Sequence, residues 1–403
     1  MFQELPRLEA DPILGMMAAY RADERPHKID LGVGVYQDEL GRTPIMRAVS
    51  AAERHLLEGE TTKTYLGIAG DPQFNERLLG LLLGSDDRVS AEGRVRGLQT
   101  PGGCGALRIG AETIRRARPE ATVWVSTPTW ANHVPLIGGS GLRLAEYPYY
   151  DPRTHGVDFD AMMAGLARVK AGDVVLLHGC CHNPTGADLS LEQWRALIDL
   201  ALENGFTPYI DIAYQGLADG VDEDVAGVRH LLAAVPEAVI ATSCSKNFGL
   251  YRERVGAVYF LAATAGQADA VQTQAMAAAR QIWSMPPAHG AAAVAHILGD
   301  ARLRADWLEE LAEVRGRINA MRALLAERLD GNAAGIDFGF IRRQKGMFSY
   351  FGITPDQVKR LREDFAVYMM ESTRINLAGI THANIDALAA AVHTVLGRNG
   401  TAS

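Results

Sequence analysis

Short apolar runs, each closing on small or polar residues, recur through the middle of this chain at helix-length intervals. Val123–Val125, Asp173–Leu177, Thr207–Ile212, Ala238–Ala241 and Val255–Leu261 read as buried strands. Met46–Leu57, Ser190–Asn204 and Gln267–Arg280 read as helices, with Ser190 as an N-cap. Asp11–Arg21 reads as a further short helix, with Asp11 as its cap and Pro12 in its first turn. Strands that alternate with helices predict an α/β fold around a mostly parallel sheet. Such sheets bind ligands beyond the carboxyl ends of their strands, so the residues that follow each run are the candidate site.

The run Ala238–Ala241 leads into Ser243-Cys244-Ser245-Lys246-Asn247-Phe248-Gly249-Leu250-Tyr251-Arg252-Glu253-Arg254. Hydroxyls and an arginine around one lysine suit an anionic group held beside an amine. A desolvated lysine has a lowered pKa and can attack a carbonyl to form a Schiff base. Phosphate plus aldehyde describes pyridoxal 5′-phosphate. A lone Ser-x-Ser-Lys is ordinarily a surface loop, and a second stretch changes that reading. Tyr209-Ile210-Asp211-Ile212-Ala213-Tyr214 places Asp211 near the end of an apolar strand, where a carboxylate needs a partner. An acid there would keep a pyridine nitrogen protonated, so that the ring acts as an electron sink. Gln99-Thr100-Pro101-Gly102-Gly103-Cys104-Gly105 is a glycine-rich turn opening a helix, whose free N–H groups suit a phosphate.

Together these stretches resemble the aspartate/aromatic aminotransferase family of fold-type I pyridoxal-phosphate enzymes, from about Asp11 to about Leu396. The resemblance implies a large domain over 44–315 with the mostly parallel sheet, and a smaller α/β domain over 1–43 and 316–403. Lys246 would carry the cofactor and move the proton, and Asp211 would pair with the ring nitrogen. Gly103, Cys104, Ser243, Ser245 and Arg254 would hold the phosphate. Relatives commonly carry threonine where Cys104 stands, and a thiol is the poorer donor. Trp130, in Ser126-Thr127-Pro128-Thr129-Trp130-Ala131-Asn132-His133, would stack on the ring, with Ala213 on the opposite face. His133 would hydrogen-bond Asp211, and Asn183 and Tyr214 would reach the ring's 3-oxygen.

For the substrate, the resemblance implies Gly34, Trp130, Asn183, Phe348 and Arg374 around the α-carboxylate side. Arginine's planar fork matches a carboxylate better than lysine does. Tyr65, in Thr62-Lys63-Thr64-Tyr65-Leu66-Gly67, would reach the cofactor phosphate of a neighbouring subunit. Arg280, ahead of Ser284-Met285-Pro286-Pro287, would bind a side-chain carboxylate across the same interface. A homodimer with shared sites follows. Met285 stands where aspartate-selective relatives usually carry asparagine. The stretches Ser-Cys-Ser-Lys-Asn-Phe-Gly and Thr-Thr-Lys-Thr-Tyr look most like the bacterial aromatic-amino-acid enzymes. The expected reaction is therefore transamination of aromatic and dicarboxylic L-amino acids with 2-oxoglutarate as acceptor. The alternative is a strict aspartate aminotransferase.

Composition sets the outer limits. The 403 residues, 48% hydrophobic and 22% charged, suffice for a large and a small domain. A net charge of −8 argues against nucleic acid as a partner. No apolar run approaches a bilayer span, and Met1–Asp11 lacks the core of a signal peptide. Four cysteines do not suggest a disulfide framework, and a reducing cytoplasm is the natural compartment. His178-Gly179-Cys180-Cys181-His182 invites a metal, but ligands packed this tightly cannot all face one ion, and no metal is expected. A PLP-binding regulator would need an added DNA-binding domain, for which the chain leaves no room. A dinucleotide-binding dehydrogenase would need Gly-x-Gly-x-x-Gly after an early strand, which is absent.

Overall fold

A computed structural model describes residues 1–8, 12–84 and 87–397. Its centre is a seven-stranded sheet in the order Val95–Pro101, Val255–Leu261, Ala238–Ser243, Thr207–Ile212, Val174–His178, Thr122–Thr127, Arg143–Pro148. All neighbours run parallel except Val255–Leu261, which is antiparallel to both of its partners. The exception has a local cause. Only the Cys244–Arg254 loop separates Ala238–Ser243 from Val255–Leu261, and it contains no crossover helix. A connection that short returns the chain antiparallel.

The strands are buried on both faces, which is why they read as continuous apolar runs rather than alternating ones. Helix Gly102–Ala117 packs Ala106, Leu107, Ile109 and Ile114 onto one face, joined by Ala275, Ala278 and Ala279 of helix Ala265–Ile282. On the other face, helix Leu191–Asn204 contributes Trp194, Leu197 and Ile198. Its Ser190–Gln193 capping box confirms the start that the sequence indicates.

Helix Ala301–Arg328 packs against helices Arg47–Gly59, His289–Gly299 and Ile385–Gly397. Trp307, Leu311, Ile318, Met321 and Leu325 form its buried stripe, with Leu303 and Val314 partly covered. Trp307 stacks flat on Phe248, 4.5 Å between ring centres, and its Nε1 donates to Asn247 O at 2.8 Å. The long helix thereby braces the turn that carries Lys246.

The two ends of the chain meet. Ile29–Asp30 pairs in parallel with Val367–Tyr368, and Phe348–Tyr350 pairs antiparallel with Arg374–Asn376. These strands of two or three residues gave no sequence signal. Helix Pro12–Ala22 is present, while its expected cap, Asp11, lies outside the described residues. Among the described residues, no helix is long and apolar enough to cross a membrane.

Candidate active site

At the carboxyl ends of the parallel strands lies a cavity of about 230 Å³. Gly34, Gly103, Cys104, Trp130, Asn183, Asp211, Ala213, Tyr214, Ser243, Ser245, Lys246, Arg254, Phe348 and Arg374 line it, all expected from the sequence. Leu107 and Tyr251 line it as well and were not foreseen. Leu107 sits one helical turn beyond Gly103. Tyr251 stands in the stretch that carries Lys246, and its hydroxyl accepts the Tyr36 N–H at 2.9 Å. Burial pushes the Tyr251 phenol up to about 12, so it stays protonated.

Helix Gly102–Ala117 points its N-terminus at one end of the cavity. Gly102 has φ +69°, and a Cβ there would meet the Arg254 guanidinium at 2.6 Å. A Cβ on Gly103 would lie 3.3 Å from that of Ser243. The missing side chains leave a cradle of backbone N–H groups beside a cation, the arrangement that binds phosphate. Ser243 Oγ and Ser245 Oγ lie 3.1 Å apart, and Arg254 Nη1 donates to Tyr251 O at 2.9 Å. Cys104 Sγ accepts a long contact from Asn132 Nδ2 at 3.7 Å.

Asp211 is buried at the far end. His133 Nε2 lies 3.0 Å from Asp211 Oδ2, and His133 Nδ1 lies 2.8 Å from Thr129 Oγ1. His133 does not line the cavity but stands behind the acid. Burial would raise the Asp211 pKa, but the hydrogen bond from His133 and the positive surroundings outweigh it and hold the carboxyl below its usual value. His178 packs against His133, and burial pushes its pKa down to about 3. The donor atoms of His133, His178 and Asp211 lie within 4.8 Å of one another, a spacing a metal could use. His133 and Asp211 are already bonded to each other, so a metal would have to break that contact. Cys180, Cys181 and Asp224 form a second such group, but the Asp224 carboxylate already accepts from the N–H groups of Gly216, Ala218, Asp219 and Gly220.

Between these ends, the Lys246 amine lies 4.8 Å from the centre of the Tyr214 ring. Its pKa is lowered, chiefly by burial, with Asp211 opposing. Asn183 Nδ2 donates to Tyr214 Oη at 3.4 Å. Arg374 Nη2 donates to Gly32 O at 2.6 Å, and its guanidinium lies over the Phe348 ring at 4.4 Å. Asn183 Oδ1 and Arg374 Nε are buried, and neither has a hydrogen-bond partner among the described residues. Polar atoms left so are costly unless a ligand completes them.

Two expected residues are not brought to this cavity by their own chain. Tyr65 is 89% exposed on its loop. Arg280 is exposed near the end of helix Ala265–Ile282, where it hydrogen-bonds Ser284.

A family model of "Aminotransferase class I and II" matches residues 26–392, and the chain belongs to this family. It is 50% identical to an aspartate aminotransferase of Salmonella typhi over 396 residues, covering 98% of this chain and 100% of the relative. It is 49% identical to an aromatic-amino-acid aminotransferase of Paracoccus denitrificans, covering 95% of this chain and 96% of the relative. Among solved structures, an aromatic-amino-acid aminotransferase from Burkholderia pseudomallei covalently bound to pyridoxal phosphate superposes with a TM-score of 0.96. That comparison covers 98% of this chain and 99% of the other, at 43% identity.

Proposed function

We propose that this aminotransferase uses pyridoxal 5′-phosphate to exchange amino groups between aromatic or dicarboxylic L-amino acids and 2-oxoglutarate. The observation that carries the reading is a single cavity with a buried amine between an anion cradle and a buried carboxylate. The cofactor fits these residues. The Gly102–Gly103 cradle with Ser243, Ser245 and Arg254 would hold the phosphate. Asp211 would pair with the pyridine nitrogen, Trp130 and Ala213 would flank the ring, and Asn183 and Tyr214 would meet its 3-oxygen. Bound there, the cofactor supplies an aldehyde that takes up amino groups and a protonated ring that withdraws electrons.

The chain's own groups do the rest. Arg374 binds the α-carboxylate as a fork, and Asn183 supports it. Phe348 and Trp130 exclude water from the reacting carbon. Lys246, poorly solvated and therefore readily neutral, takes the proton from the substrate's Cα and returns it in the reverse direction. His133 holds Asp211 ionised through Nε2. No metal is needed for any of this.

The working unit is a homodimer with shared sites. Exposed Tyr65 and Arg280 support it, since each would serve the partner's cavity. The division into a large domain, 44–315, and a small one, 1–43 with 316–403, is supported by the pairing of Ile29–Asp30 with Val367–Tyr368. The partners are small amino acids and 2-oxo acids rather than nucleic acid or membrane. Four free thiols, three of them buried, suit a reducing cytoplasm.

Likeness to aspartate and aromatic enzymes is nearly equal, so dual use is the reading retained. Values of kcat/KM for phenylalanine, tyrosine and aspartate with 2-oxoglutarate test it. Activity confined to aspartate would give the strict aspartate enzyme instead.

A further inference from the structure

Arg322 is 2% exposed on helix Ala301–Arg328, yet its hydrogen bonds all go to main-chain carbonyls. Nε donates to Gly346 O at 3.1 Å and Nη1 to Ile341 O at 3.1 Å. Nη2 reaches Lys345 O at 3.0 Å, Gly346 O at 2.7 Å and Phe348 O at 2.5 Å. A buried cation is costly, and burial pushes this one down to about 10. A site that needed only packing would be filled by an apolar side chain at lower cost.

The segment it holds is wedged between the two sides of the cavity. On one side, Lys345 N donates to Gly186 O at 2.7 Å, in the turn that carries Asn183. A Cβ on Gly346 would strike the Cys181 side chain, and one on Gly186 would strike Phe348 O. On the other side, Phe348 is in register with Asn376 and Tyr350 with Arg374. The Phe348 ring lies against the Arg374 guanidinium, and a Cβ on Gly34 would meet its Cζ at 2.9 Å.

We propose that Arg322 is a positioning residue for the substrate's α-carboxylate. It fixes the Phe348 strand against the Asn183 turn, and so sets the spacing of Arg374 and Asn183 without touching substrate. Lysine cannot replace it, because one ammonium cannot span four carbonyl positions that a planar fork covers. The inference rests on the functional reading above.

The test uses the pyridoxal-phosphate-loaded enzyme and two variants, Arg322→Lys and Gly346→Ala. The second pushes the same segment from the Cys181 side. Melting temperature and cofactor affinity are measured first, then kcat and KM for aspartate and for phenylalanine in single half-reactions. Cofactor affinity should hold within about threefold while KM rises about tenfold or more for both amino acids, with kcat little changed. An equal rise is expected because both substrates share the carboxylate. Should Arg322→Lys fail to fold, Gly346→Ala carries the same expectation. Unchanged KM in the folded variants, or cofactor affinity falling in step with KM, overturns the proposal. Wild-type enzyme that neither loads cofactor nor transaminates would instead overturn the functional reading beneath it.

Discussion

His133 Nε2 lies 3.0 Å from Asp211 Oδ2, and Thr129 Oγ1 fixes the ring's other nitrogen at 2.8 Å. The bond orients a buried carboxylate toward the cavity and keeps it anionic against the pull of burial. Asp211→Asn preserves the shape and one acceptor for His133 but removes the charge. Its kcat should fall by at least about a hundredfold, the scale seen when a preorganised electrostatic contact is lost. Cofactor affinity should fall much less. Equilibrium dialysis and single-turnover rates separate the two, and a loss confined to affinity would make Asp211 a binding residue only.

His178 stands behind that pair, with its Nε2 buried and its pKa near 3. Below pH 6.5 the unfolded chain takes up a proton there that the folded protein refuses. Stability should therefore fall as pH drops from 6.5 toward 3, by about 3 kcal/mol at pH 4 from this group alone. His178→Gln cannot make that contribution, so it should lose less stability than wild type between pH 7 and pH 4. Urea unfolding at both pH values measures the difference. Parallel losses would mean that His178 is protonated in the folded protein.

Arg280 should discriminate between substrate classes. A guanidinium paired with a substrate's distal carboxylate in a closed site costs about 2–5 kcal/mol to remove, or roughly thirty- to several-thousand-fold. An aromatic ring offers no such partner. Arg280→Ala should collapse kcat/KM for aspartate and leave phenylalanine within about one decade. Half-reactions are the correct assay, because 2-oxoglutarate in a full cycle carries the same distal carboxylate. Equal losses for both amino acids would assign Arg280 to the fold or the interface.

Tyr65 and Arg280 should act in trans. Chains carrying Tyr65→Ala and Arg280→Ala, mixed with Lys246→Ala chains, should regain activity after subunit exchange. Each heterodimer would hold one complete cavity. No recovery, or a fully active monomer in sedimentation, would contradict shared sites.

Much of this site was legible because its residues follow buried strands. Thr207–Ile212 and Val255–Leu261 appear with the boundaries their apolar runs indicate, since burial on both faces leaves little ambiguity. Asp211 stands within the first of these runs, and Lys246 follows the equally buried strand Ala238–Ser243. The direction of Val255–Leu261 depended on the loop before it rather than on the strand itself. Arg322 was not legible at all. It stands at the edge of the buried stripe, four residues after Ile318 and three before Leu325, where an arginine ordinarily extends its charged end to water, and only tertiary contact turns it inward against the Gly346 segment. Tyr251 was hidden for a related reason, because its role comes from the distant Tyr36 backbone.

The central claim is that Lys246, poorly solvated between the Gly103 cradle and Asp211, works with pyridoxal phosphate to move amino groups. The most direct test is a single half-reaction. Enzyme loaded with the cofactor and freed of oxo acids is mixed with aspartate or phenylalanine, and visible absorbance is followed together with released oxo acid. Wild type should bleach and release one oxo acid per subunit. Lys246→Ala should bind the cofactor through the cradle and Asp211 yet release oxo acid slower by at least about a thousandfold, on the scale of a lost general base. Release at the wild-type rate from Lys246→Ala, or no release from wild type with either amino acid, would contradict the account.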